Sequence, residues 1–180
     1  MSVYYTNCDA LIPDHFCSSC DELELAKIRS VAFIKKSFSF IDPTDANEWL
    51  NGIASKDIIV IADTNGNYDG GAPVEGAGFG DSISTFTTKD HLLLFRDPNY
   101  KENCDFYNAI QSSRNYKLAF RTSSQTHLVE VPVTVLPKNP VADDDNAYVV
   151  WEVEVKWRAK NAPCPYDTPE GVFECFNLNP

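Results

Sequence analysis

The segment that most restricts how this chain can fold is Tyr148–Arg158, in which Trp151, Val153, Val155 and Trp157 alternate with Glu152, Glu154, Lys156 and Arg158. Successive side chains of a strand point to opposite faces, so the run predicts a β-strand with one core face and one wet face. Two further runs carry the same period. Tyr116, Leu118 and Phe120 alternate with Lys117, Ala119 and Arg121, and Val129, Val131, Val133 and Val135 form an apolar stripe. Pro132 interrupts that stripe without a backbone N–H to give to a ladder, which places its strand at a sheet edge or a bulge.

The rest of the chain reads as shorter pieces. Residues 1–24 form an irregular arm with three cysteines, and Leu25–Ile41 reads as a first long strand. Asp42–Asp45 supply helix-start chemistry, with Glu48 placed to answer the backbone of Asp45. The short helix that follows puts Trp49, Leu50 and Ile53 on one face and ends near Ser55. Ile58–Ala62 is a compact apolar run typical of a buried strand.

Residues 63–82 hold most of the chain's eight glycines and read as one long loop, a candidate contact arm. Ile83–Thr88 and His91–Arg96 look extended, and Leu92–Phe95 suggest burial on both faces. Asn99 and Glu102 open a second helix that carries Phe106, Tyr107 and Ile110 to about Arg114. The run Pro137–Ala147 is too long for a tight turn, and Asp143, Asp144 and Asp145 repel one another, so it should project into solvent. Residues 159–180 read as an irregular C-terminal segment. Strands outnumber helices, so the expectation is a mainly β, α+β fold: one domain over 1–180 with one or two short helices and extended loops.

Charge narrows the function. With 26 acidic and 15 basic residues the formal charge is −11, and no basic stripe is visible that could neutralise phosphates over a large surface. Gripping DNA is therefore disfavoured, whereas lining a passage for DNA is compatible with like charge. No apolar stretch is long enough to cross a bilayer, and the opening MSVYYTNCDA lacks the basic and apolar regions of a leader. The expectation is a protein made in the cytoplasm that does not contact membrane, and that leaves only inside a larger particle.

Cys17 and Cys20 have the two-residue spacing that lets both sulfurs face one ion, with Cys8 or His15 as a third ligand and Cys164 or Cys175 as a fourth. The set Cys8, Cys17, Cys20 and Cys175 is the candidate zinc site. One such pair lacks the second pair of a zinc ribbon, so cysteines acting as small apolar residues are the simpler reading, and no other cofactor is expected. Asp63, Asn65, Asn67 and Asp69 alternate like calcium ligands, but Tyr68 and Val74 stand where such a loop needs glycine and glutamate, leaving a polar turn. Gly76, Gly78 and Gly80 lack the lysine and the helix of a nucleotide loop.

Neither a nucleophile elbow nor a nucleophile with an evident base is present, and His91 and His127 sit at predicted strand starts, where solvated or hydrogen-bonded histidines are usual. No pair among the acids stands out for glycoside cleavage. No enzymatic activity is expected. The aromatic stripes Trp151 with Trp157, and Trp49 with Phe106 and Tyr107, are read as core. Phe79, Phe86 and Tyr68 are the candidate exposed rings for a competing reading, a host-facing carbohydrate- or receptor-binding β-sandwich.

The order of these segments resembles a known group. The Cys8–Cys20 opening, KIRSVAFI, DPTDANEWLNGIASKDIIVIADTNG, HLLLFRDPNY leading into NCDFYNAI, and VVWEVEVKW are similar to virion structural proteins of Bacteroidetes-infecting, crAss-like bacteriophages. The resemblance implies a tail-tube or neck-ring subunit: a small β-sandwich or barrel with a flanking helix, repeated around an axis. It further implies a homo-oligomer in the virion, stacked on other ring, tail or portal-associated proteins, with DNA passing through its lumen without specific binding. On that reading Asn65, Gly66, Gly70, Gly71 and Phe79 of the glycine-rich arm, and Asp143, Asp144 and Asp145 of the acidic tip, are the candidate assembly residues. Removing residues 66–80 is then expected to leave a folded monomer that no longer assembles.

Overall fold

The computed structural model describes residues 23–78, 80, 85–111 and 113–174. In chain order its elements are β1 (Ser30–Lys35), α1 (Ala46–Ala54), β2 (Ile58–Ile61), β3 (Asn65–Tyr68), β4 (Ala72–Gly76), β5 (Thr85–Asp97), α2 (Cys104–Ile110), β6 (Tyr116–Arg121), β7 (Gln125–Val129), β8 (Thr134–Lys138), β9 (Trp151–Ala159) and β10 (Pro165–Asp167). The strands form two sheets, ordered β10, β7, β6, β1, β2 and β3, β5, β9, β8, with β4 joining β5 farther along its length. Every pairing is antiparallel. The sheets stay open, so the fold is a mainly β sandwich and not a barrel.

The alternation that opened the sequence reading builds the space between the sheets. Trp151, Val153, Val155 and Trp157 of β9 and Leu93 and Phe95 of β5 face Val31 and Phe33 of β1, Leu118 and Phe120 of β6 and Val129 of β7 in one buried cluster. Residues of opposite faces alternate, so Glu152, Glu154, Lys156 and Arg158 lie on the outside. In β5 the burial also alternates: Leu93 and Phe95 are buried while Leu92 and Leu94 lie half-exposed, which corrects the expectation of burial on both faces. Burial on both faces occurs in β6 at Leu118–Phe120 and most fully in β1. Its Val31 and Phe33 enter the inter-sheet core, while Ala32 and Ile34 join Trp49, Ile58, Ala119, Val172 and Phe173 in a second core on the opposite side of the first sheet. α1 and the chain around Val172 form the third layer, so residues 160–174 are not a loose tail, and they add β10 against β7.

Several boundaries differ from expectation for local reasons. β1 covers only six residues, because the chain turns after Lys35, where Phe38 N–H donates to the Lys35 carbonyl at 2.9 Å. Asp45 caps α1 through the Asn47 N–H at 2.9 Å, but Glu48 reaches back to Ile41 N–H at 2.8 Å and Asp42 N–H at 3.3 Å, not to Asp45. Trp49 is fully buried and donates its indole N–H to the Pro43 carbonyl at 2.9 Å, whereas Leu50 is exposed. α2 stops at Ile110, short of Arg114. The valine stripe is not one strand: Val129 ends β7 in the first sheet and Val135 lies on β8 in the second, and the chain crosses between them at Pro132. A residue with no N–H fits a crossing where no ladder continues.

The largest correction concerns 63–82. Asn65–Tyr68 pairs with Leu93–Arg96, and Ala72–Gly76 pairs with Thr85–Asp90, so the glycine-rich stretch contains two short strands laid end to end along β5. Gly66 crosses β5 so closely that a methyl group there would run into the Leu94 carbonyl and the Phe95 backbone. Gly70 and Gly71 take φ of 81° and 90° in the turn between the strands, where L side chains are strained. Deleting 66–80 would strip one flank of β5 and would not leave the monomer intact.

Candidate functional site

One end of the sandwich gathers the features with contact chemistry. Here β5 ends at Asp97, paired with Trp151 at the start of β9, and the long connection 139–150 emerges between β8 and β9. Its tip is a turn held by Asp144: the side chain accepts from Asn146 N–H at 2.9 Å and the carbonyl from Ala147 N–H at 3.1 Å. Asp143, Asp144 and Asp145 are exposed, as expected of three adjacent like charges. The aspartates are flanked by Val141, 75% exposed, and Tyr148, 92% exposed. An apolar and an aromatic side chain held out on a charged loop have little to gain in water and much to gain under a partner.

The base beneath this loop is stiff. Asp97, only 2% exposed, accepts from Asn99 N–H at 2.9 Å, Asn103 Nδ2 at 2.7 Å and the Tyr107 hydroxyl at 2.7 Å. Burial, and then the Asp97 carboxylate, push the Tyr107 phenol far above its ordinary range, so it remains a donor. Trp151 adds an indole N–H bond to the Tyr100 carbonyl at 2.9 Å. These bonds tie the turn after β5, α2 and the start of β9 into one unit, so the loop springs from fixed ground.

A second latch lies at the β6–β7 turn. Glu24 accepts from Thr122 Oγ1 at 2.7 Å, Ser123 N–H at 2.6 Å, Ser124 N–H at 2.8 Å and Ser124 Oγ at 2.7 Å. The hydroxyls of Ser124 and Thr122, followed by the two amides, bring its carboxyl down to about 2.

On the outer face of the second sheet, Asn65 and Gly66 line a shallow groove of about 350 Å³ with Arg96, Lys138, Glu152 and Glu154. Its charges are matched: Arg96 pairs with Glu152 at 3.0 Å, and Glu154 pairs with Lys138 and with Lys156 at 2.9 Å. Hydrogen bonds from Lys138 and Lys156 hold the Glu154 carboxyl below its usual value, which suits a salt-bridge ladder and not a proton donor.

The predicted assembly residues thus separate. The aspartates stand on the exposed loop, Asn65 and Gly66 are strand residues on the groove, Gly70 and Gly71 shape a turn, and Phe79 lies outside the described residues. Cys8, Cys17, Cys20 and Cys175 also lie outside them, while Cys104 and Cys164 are free and exposed. Among the described residues no cluster of three or more His, Cys, Asp or Glu side chains could hold a metal. No described helix is long and apolar enough to cross a membrane.

His91 and His127 serve packing. His91 lies in the middle of β5 rather than at a strand start, and it is hydrogen-bonded rather than solvated, buried with its ring stacked 5.2 Å from Trp157. Its Nε2 faces the Ala159 carbonyl at 3.1 Å, and a carbonyl only accepts, so Nε2 carries the proton and Nδ1 accepts from the Tyr68 hydroxyl at 2.7 Å. Tyr68 is therefore a half-buried core ring rather than an exposed platform, its phenol pushed up to about 12 chiefly by burial and then by Asp69. His127 stacks on Phe120 at 4.7 Å. The exposed pair Val141 and Tyr148 was not singled out from sequence; the available signal was a valine and a tyrosine on either side of the polar run Asp143–Asn146.

Comparison with protein-family models, with curated proteins and with solved structures found no match to this chain.

Proposed function

We propose that this chain is a structural subunit that acts by assembling with copies of itself and with sister proteins, in a ring or tube of a bacteriophage tail or head-tail neck. The observation that carries the reading is the 139–150 loop, which holds Tyr148 and Val141 in solvent above a rigid, hydrogen-bonded base. The edge strand β2 adds to it: Ile58–Ile61 presents four β-branched residues, and among the described residues no strand pairs with its outer side. Such an edge invites a neighbour, and rotational repetition supplies one. The net charge of −11 fits a wall along which DNA slides without adhering. Virion localisation, synthesis in the bacterial host and contact with other ring, tail or portal-associated proteins are what the sequence resemblance implies.

The competing carbohydrate-binding reading has less support. Phe86 is 42% exposed, but the Lys89 ammonium lies 5.9 Å from its ring centre, so the face a sugar would stack on is partly taken. Negative-stain electron microscopy of the concentrated protein is expected to show rings or short tubes. A strict monomer that scores on a glycan array would replace the assembly reading with the binding one.

A further inference from the structure

A cleft of about 560 Å³ opens near the same end, and four cations from three separate parts of the chain line it: Lys27 and Arg29, Arg96, and Arg121. In a protein of charge −11 this is an unusual concentration of positive charge. Its frame is built into the sheet. Arg29 N–H donates to the Arg121 carbonyl at 2.9 Å, and Thr64 N–H donates to the Arg29 carbonyl at 3.0 Å, so three lining residues are stitched side by side. Asp63 is the acid among the lining residues, and it already has an interaction of its own; Arg96 is engaged by Glu152.

Two donors at this cleft have no acceptor. The Thr64 hydroxyl, on a residue only 9% exposed, and the Arg121 Nε–H are both buried without a hydrogen-bond partner. Buried donors are nearly always satisfied, so these two call for an acceptor, and the clustered cations favour one that is negative. Arg29 stands just before β1, Thr64 lies in the β2–β3 link and Arg121 ends β6, so donors reach the cleft from three segments. That arrangement suits a tetrahedral anion better than a planar carboxylate. The cleft is also larger than one such ion, leaving room for an attached group.

We propose that this cleft binds a phosphate-class oxyanion, free phosphate or a phosphomonoester, held by Arg29 and Arg121 with the Thr64 hydroxyl as a neutral donor. The proposal is independent of assembly: a monomer that binds phosphate would support it while sinking the ring reading.

The test is a titration of the ¹⁵N-labelled full chain with inorganic phosphate, and separately with glycerol 2-phosphate, against sodium chloride and acetate at equal ionic strength. Saturable shifts are expected at the amides of residues 62–65, 121 and 122 with both phosphates and not with chloride or acetate. Arg29→Gln, on the exposed rim where folding is not at stake, and Arg121→Gln should each weaken the affinity at least tenfold, and Thr64→Val a few-fold. A tighter response to glycerol 2-phosphate than to phosphate would identify the ester as the natural form, and the reverse would identify the free ion. The absence of saturable shifts at these amides, an equal response to acetate, or unchanged affinity in Arg29→Gln would overturn the proposal.

Discussion

Replacing Asp97 by Asn tests how the end of the sandwich beneath the 139–150 loop is held together. The change keeps the shape of a buried side chain but removes its charge and turns one acceptor into an NH2 group. Oδ1 accepts from Asn99 N–H, and Oδ2 accepts from Asn103 Nδ2 and the Tyr107 hydroxyl, so whichever way the amide is placed, at least one donor meets a donor. Hydrogen bonds to a charged acceptor contribute about 1.5–3 kcal/mol, and an orphaned buried donor costs about 1–3 kcal/mol. The expected loss is therefore about 3 kcal/mol, or roughly 6–12 °C in Tm for a chain of this size. Tyr107→Phe deletes one bond of the three and should cost about 2 kcal/mol. The double variant should cost less than the sum, because the two residues share one interaction. Urea unfolding of the four proteins measures this cycle. Asp97→Asn within about 0.5 kcal/mol of the parent, or strict additivity, would refute the network as the clamp.

Three further outcomes follow from particular contacts. The Glu24 carboxyl is depressed from 4.5 to about 2 in the folded chain, so its latch on the 122–124 turn is fully present above pH 4.5 and lost as pH falls through about 2; a carbon-detected titration of Glu24 with a midpoint near 4.5 would contradict this. Gly66→Ala, which drives a methyl group into the Leu94 carbonyl, should destabilise by about 2 kcal/mol and lower amide protection in β3 and the facing part of β5, read by hydrogen exchange. Tyr166 is half-buried with a hydroxyl that has no partner, so Tyr166→Phe should be neutral or stabilise by up to about 1 kcal/mol in chemical denaturation, and a clear loss would show that the hydroxyl is used.

Much of the fold was legible wherever one physical period dominated. β9 and β6 carry alternation that only a strand with two unlike faces explains, and both stand where the sequence places them. The 63–82 stretch was misread because β3 owes its existence to β5: Asn65–Tyr68 has weak strand propensity and becomes a strand by pairing with a thirteen-residue template, with Gly66 admitting the close approach. The double burial assigned to Leu92–Phe95 belongs to β1 and β6, because α1 covers the first sheet and not the second, and no local pattern announces which sheet a helix will cover. The acidic tip was visible as a charge run. The basic cleft was not, since its four cations lie on three separate segments that meet only where the start of β1 and the ends of β5 and β6 come together.

The central claim is that the 139–150 loop is a contact element, and sedimentation velocity over a concentration series of the parent and the Val141→Ser, Tyr148→Ser variant tests it most directly. Covering both side chains should contribute about 3 kcal/mol per contact, close to a hundredfold in association constant. The parent is expected to move to higher s-values as concentration rises while the variant, with unchanged circular dichroism, stays monomeric. Superimposable profiles for the two proteins at every concentration would contradict the account.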